Sequence, residues 1–249
     1  MFAKQPLLAD VLHNAPRHVP AQPLTVEPAL AFRSAKRHLN GVSSGLEKRL
    51  LVWLAQRIPA RVNSDHLTLL GFVSMFLVGA SYAAARWSRH ALLLATLFLA
   101  LNWLGDSLDG TLARVRKCER PRYGFYVDHM LDGFGALFLT GGLAVSTYVD
   151  WRVAAGVLIA FFMLTTEVYL ATYTLGVFRL SFAGLGATEL RILLAAGNLA
   201  LWFNPLAGVP HTPYRLLDFG GCVAIAALAI MLVVTVPRHV RQLYREEKS

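Results

Sequence analysis

Long apolar stretches alternate along the chain with short charged ones. His66 to Ala85 is a 20-residue run without one Lys, Arg, Asp or Glu, enough α-helix to cross a hydrocarbon layer of about 30 Å. Comparable stretches follow at 91–115, 123–148, 153–177, 187–203 and 216–236, so the pattern predicts six transmembrane helices. The fifth is the weakest, because Glu189 and Arg191 crowd its start and Asn204-Pro205 closes it. Ahead of the spans, Leu46, Leu50, Leu51, Leu54 and Ile58 recur at helical spacing beside Glu47, Lys48, Arg49 and Arg57. That pattern predicts an amphipathic helix over 44–60 lying in the membrane interface; a soluble helix packed on a partner is the alternative. Residues 1–43 scatter Pro, His and Arg with no apolar run of the signal-peptide kind, and read as a loosely ordered arm. The expected fold is all-α and polytopic: the arm at 1–43, the interfacial helix at 44–60, and a six-helix membrane domain over 63–249.

Composition sharpens this. Of 249 residues, 55% are hydrophobic and 16% charged, where a soluble domain carries about 25% charged residues. A secreted disulfide-stapled protein and a disordered one are both excluded. Two cysteines, Cys118 and Cys222, are too few for a disulfide frame or a thiolate metal site. Lys and Arg number 24 against 15 Asp and Glu, a net charge of +9. With a cytoplasmic N-terminus, 20 of these cations fall in inner segments, and only Arg86, Arg89, Arg152 and Arg215 in outer ones. The bias predicts both termini on the cytoplasmic side. Because the cations are divided among segments separated by spans, a nucleic-acid partner is not expected. The basic loop from Arg114 to Arg122 also suits anionic membrane lipid.

The acids carry the chemical signal. Asp106 and Asp109 are spaced i,i+3, and Asp128 and Asp132 i,i+4, so each pair shares a helix face. Gly110 and Ala113 fall with the first pair inside an arc of ~100°, where a ligand can approach the backbone closely. Counting from the outer ends of spans two and three, Asp106 lies ~22 Å and Asp132 ~24 Å along its helix. The four carboxylates therefore belong at one level, just inside the cytoplasmic boundary. Four such charges repel unless cations stand between them. Oxygen-only donors favour Mg²⁺ or Mn²⁺, and four carboxylates suffice for two ions. The alternative is that the aspartates cap helices or pair with Arg114, Arg116, Arg120 and Arg122. Two pairs at one depth, framed by Gly and Ala, favour the ligand site.

The segment Asp106-x-x-Asp109-Gly110-x-x-Ala113-Arg114, followed by Gly124-x-x-x-Asp128-x-x-x-Asp132, resembles the signature of the CDP-alcohol phosphotransferases (CDP-alcohol phosphatidyltransferases), integral membrane enzymes that make phospholipids. All eight signature positions are present. The spacer from Arg114 to Gly124 is one residue longer than usual, and the extra residue falls in the loop. The six-span layout extends the likeness over about 66–236. The resemblance implies a homodimer that depends on divalent metal. Carried over by position, it implies that Asp106, Asp109 and Asp128 ligate a two-metal centre, with Asp132 both ligand and general base. Gly110, Ala113, Arg114 and Gly124 would seat the nucleotide, Arg114 lying on a phosphate. The implied reaction moves a substituted phosphate from a CDP-alcohol to a hydroxyl acceptor, one of the two being a lipid, and releases CMP. Two metal ions suit clamping the donor's diphosphate and stabilising the negative charge that leaves with CMP, and a carboxylate suits proton removal from an alcohol.

The remaining polar residues do not agree on the substrate. His129 beside Asp128, and Thr188-Glu189, resemble the choline- and ethanolamine-phosphotransferase branch; a bond from His129 to a neighbouring helix is the alternative. Span four carries Thr165, Thr166, Glu167, Tyr169, Thr172 and Tyr173, an aromatic and anionic set that suits a quaternary ammonium. Glu167 suits an interhelical hydrogen bond equally well. Arg179 and Arg191 instead suit an acceptor already bearing phosphate, or serve only to set topology. Two other classes compete with the enzyme: a cation-coupled transporter with the aspartates as its transit site, and an inactive family member acting as a scaffold.

Overall fold

The computed structural model describes residues 44–176, 186–205 and 215–248. The chain divides into two units, Met1–Arg33 and Ser34–Ser249, and all the described residues belong to the second. The arm at 1–43 and Arg179 lie outside the described residues. The described residues form seven helices: α1 (Ser44–Ala55), α2 (Ser64–Ala84), α3 (Ala91–Val115), α4 (Pro121–Val145), α5 (Trp151–Leu175), α6 (Ala187–Phe203) and α7 (Leu216–Lys248).

Most boundaries fall within a few residues of the hydrophobic pattern, and the exceptions have local causes. α1 stops at Ala55 because Pro59 disfavours helical backbone in the residue before it. The turn that follows is tied down by Arg116, which donates to the carbonyls of Val62 (2.5 Å), Ile58 (2.9 Å) and Pro59 (3.0 Å). α4 opens on Pro121, whose missing N–H costs nothing in a first turn. α7 runs past residue 236 and through Pro237. One backbone bond is lost there, and the good helix formers Arg238, Arg241, Gln242, Arg245 and Lys248 restart the ladder.

Among the described residues four helices, α2, α3, α5 and α7, are long and apolar enough to cross a membrane. α6 is shorter, at 17 residues. α4 has 25 residues, but Arg122, Asp128, His129 and Asp132 occupy its first half.

α2 is the hub. It packs on both α3 and α4; α1 and α6 pack on α3, α5 on α4, and α7 on α5. α3 and α4, the two aspartate helices, meet mainly through α2. Glycines allow that arrangement. A Cβ on Gly105 would lie 2.6 Å from the Gly71 nitrogen, and one on Gly142 would lie 2.1 Å from the Gly79 oxygen. Backbone thus meets backbone at both crossings, the close approach that small residues permit between membrane helices. At the end of α2 away from the aspartates, Val78, Tyr82, Leu92, Ala95, Leu99 and Leu201 form an apolar core. Asn198 is fully buried there. It accepts from the Tyr82 hydroxyl (2.9 Å) and donates to Thr96 Oγ1 (3.1 Å), joining α2, α3 and α6 without leaving a buried polar group unpaired.

Candidate active site

The Gly71–Gly105 crossing sets the site, because the next residue along α3 is Asp106. From there Asp106 and Asp109 project from α3, and Asp128 and Asp132 from α4, and all four line a single cavity. α2 supplies a third wall with Thr68, Gly71, Phe72 and Met75, and Arg191 of α6 closes another side. Asp109 and Asp128 are half-buried, while Asp106 and Asp132 are exposed.

Two of the carboxylates are held by named partners. Thr68 Oγ1 donates to Asp109 Oδ2 at 2.8 Å. Arg191 donates to Asp106 Oδ2 at 2.8 Å and, through Nε, to Asn102 Oδ1 at 2.9 Å. Asn102 in turn donates to the Gly71 carbonyl at 2.9 Å, so one buried amide locks α3 to α2 and aims the arginine. Among the described residues no three His, Cys, Asp or Glu side chains converge as a ready-made metal cluster. Asp106 turns toward Arg191 and Asp109 toward Thr68, as carboxylates of like charge do when each has a separate donor.

In the alternative reading the loop arginines would pair with the four aspartates; Arg114, Arg116 and Arg120 have other partners. Arg116 is spent on the backbone after α1. Arg120 pairs with Asp65 and lies 4.3 Å from the Tyr123 ring centroid. Arg114 folds back along α3, with Nη2 donating to Thr111 Oγ1 at 3.0 Å. Its guanidinium covers Gly110, where an added Cβ would come within 3.4 Å of Nη1. Ala113 is half-buried on the same helix, and a Cβ on Gly124 would meet nothing within 4 Å. Gly110, Ala113, Arg114 and Gly124 thus adjoin the aspartates along α3 and α4 and are not among the residues lining the cavity.

His129 and Glu167 also stand outside the lining. The His129 Nδ1–H donates to the Phe125 carbonyl at 2.6 Å, and its ring stacks on Phe125 and meets Tyr169 edge-on. Glu167 Oε1 lies 2.6 Å from His239 Nδ1, joining α5 to α7. Thr188 donates to Glu47 Oε1 (3.2 Å), and Glu189 accepts from the Gly186 N–H at the head of α6.

Sequence reasoning missed Thr68 and Asn102. Asn102 left a signal, an amide in an apolar span one turn before Asp106; a lone threonine gives none.

The profile of the CDP-alcohol phosphatidyltransferase family matches residues 62–237, and no curated protein matches the chain. The matched segment takes in the four aspartates and every helix from α2 to α6, and the chain belongs to the CDP-alcohol phosphatidyltransferase family, integral membrane transferases of phospholipid synthesis that draw on CDP-alcohols.

Proposed function

We propose that this protein transfers a substituted phosphate from a CDP-alcohol to the hydroxyl of an acceptor and releases CMP, one of the two substrates being a membrane lipid. The observation that carries this reading is the cavity lined by Asp106, Asp109, Asp128 and Asp132. The donor set fits a hard divalent cation: four carboxylates around one opening, with no thiolate or imidazole among the lining residues. Asp106, Asp109, Asp128 and Asp132 would hold two Mg²⁺ or Mn²⁺ ions. Bound there, such ions supply charge stabilisation for the diphosphate and for the CMP that leaves.

The protein's own groups do the rest. Arg114, lying over Gly110, is placed to swing onto a donor phosphate, with a planar guanidinium that suits phosphate oxygens. Gly110, Ala113 and Gly124 leave room for the nucleotide beside the helix backbone. Asp132, exposed at the cavity, takes the proton of the attacking hydroxyl. The hydroxyl oxygen bonds to the phosphorus distal to cytidine, and the bond from that phosphorus to the CMP oxygen breaks.

In this reading α4 and α6 join α2, α3, α5 and α7 to make six spans over 63–249. α1 lies in the interface, where the exposed Trp53 stacks under Arg57 at 3.8 Å. The termini and the aspartates face the cytoplasm, and the enzyme works as a homodimer. Purified protein offered a panel of CDP-alcohols and hydroxyl acceptors releases CMP with one pairing. EDTA abolishes the release, and added Mg²⁺ or Mn²⁺ restores it. Release that survives EDTA would refute the metal centre, and a chain that instead moves cations across vesicles without CMP release would be a transporter.

A further inference from the structure

α6 is fastened to the rest of the molecule unevenly. Its buried residues, Asn198 and Leu201, both lie in the half away from the aspartates, while Leu190, Ile192 and Leu193 in the first two turns are exposed. The end that carries Arg191 is therefore held by polar contacts. Arg191 itself grips Asn102 and Asp106. One turn earlier, Thr188 Oγ1 donates to Glu47 Oε1 at 3.2 Å, and the same oxygen accepts from Trp103 Nε1 of α3 at 2.8 Å.

Glu47 is well placed for this. It stands four residues before Leu51, so both belong to one face of α1. Leu51 and Ala55 are buried against Leu67 of α2 and Leu108 and Leu112 of α3. α1 packs closely on α3 and has no comparable packing on α6. The Glu47 carboxylate thus bridges α1, α3 and the start of α6. On α3 it holds Trp103, next to Asn102; on α6 it holds Thr188, one turn from Arg191.

We propose that Glu47, which precedes the segment shared with the family, is a positioning residue: it clamps the first turn of α6 to α3 and so keeps Arg191 on Asn102 and Asp106. The inference rests on the reading of the aspartate cavity as the active site. Breaking the clamp frees a helix end with little apolar burial of its own, and Arg191 loses its fixed approach to Asp106. A misplaced group at a reacting centre costs rate more than affinity when the substrate's other contacts remain.

The test uses the full-length protein in detergent micelles, with Glu47→Ala, Glu47→Gln, Thr188→Ala and the double variant Glu47→Ala/Thr188→Ala. Amide hydrogen exchange from Leu190 to Leu194 is expected to accelerate at least tenfold in Glu47→Ala. Thr188→Ala accelerates it in the same direction, and the double variant goes no further than Glu47→Ala. Glu47→Gln keeps an accepting oxygen and exchanges like the parent. For CMP release, kcat falls about tenfold in Glu47→Ala with KM for the CDP-alcohol changed less than twofold, and Glu47→Gln restores kcat. Unchanged exchange in Glu47→Ala, additive effects in the double variant, or a Glu47→Gln variant as impaired as Glu47→Ala would each overturn the proposal. If Glu47→Ala does not fold, Thr188→Ala decides alone, and parental exchange and kcat in it refute the clamp. A parent protein without CMP release would refute the transferase reading and leave the exchange experiment to judge the clamp.

Discussion

Asp132 stands four residues from Asp128 on α4, exposed at the cavity, with Asp106 and Asp109 facing the same space from α3. Asparagine is nearly its size and keeps one carbonyl oxygen, but it cannot take a proton at neutral pH. Asp132→Asn is expected to lower CMP release by about 10²–10⁴-fold, the span typical of a lost general base. Its thermal midpoint in detergent should match the parent's. Turnover close to the parent's would place the base elsewhere. The spacing that singled out this aspartate was visible in the chain, because i,i+3 and i,i+4 relations are fixed by the helix itself. What holds Asp106 was not. Arg191 lies 85 residues away, and only the packing of α6 on α3 brings the two together.

At the level of elements, α2 decides the geometry by letting α3 and α4 approach its backbone. Gly105 and Gly124 make a contrasting pair. A Cβ on Gly105 would strike the Gly71 nitrogen at 2.6 Å and the Leu67 oxygen at 2.7 Å, and neither can yield without moving a helix. Gly105→Ala should therefore destabilise the protein by about 1–3 kcal/mol, the usual cost of overpacking, read as a lower midpoint in detergent melting. Gly124→Ala meets nothing within 4 Å and should melt like the parent. It should still raise KM for the CDP-alcohol if Gly124 borders the nucleotide. Equal melting of the two variants would show that the Gly71–Gly105 crossing does not hold the helices. Apolar patterning located α2, α3, α5 and α7 directly. The same pattern predicted α4 and α6 as spans, but their apolar signal is weaker, since one carries its charges in its first half and the other has 17 residues. The ends of α1 and α7 moved for proline-specific reasons. Pro59 stops one helix, and Pro237 fails to stop the other.

For the whole molecule, the 20-to-4 division of cations predicts that the loop between α3 and α4 faces the cytoplasm. Cys118 in that loop is free and exposed, which makes it a natural reporter. With Cys222, which is also free and exposed, replaced by Ser, a membrane-impermeant maleimide should label Cys118 in inside-out vesicles and not in intact cells; labelling of Cys118 from outside would invert the topology. The sequence by itself determined the helical class, the carboxylate pairs on their helix faces, the cation bias and the family likeness. All of these are local or periodic properties, set by the 3.6-residue turn and by the exclusion of charge from hydrocarbon. Only the tertiary structure decided that α3 and α4 meet through α2, that Asn102 aims Arg191 at Asp106, and that Glu47 reaches Thr188 across 141 residues. Periodicity tells which face of a helix is polar. Which partner that face meets depends on where glycines let backbones close up, and on how the buried polar groups satisfy one another.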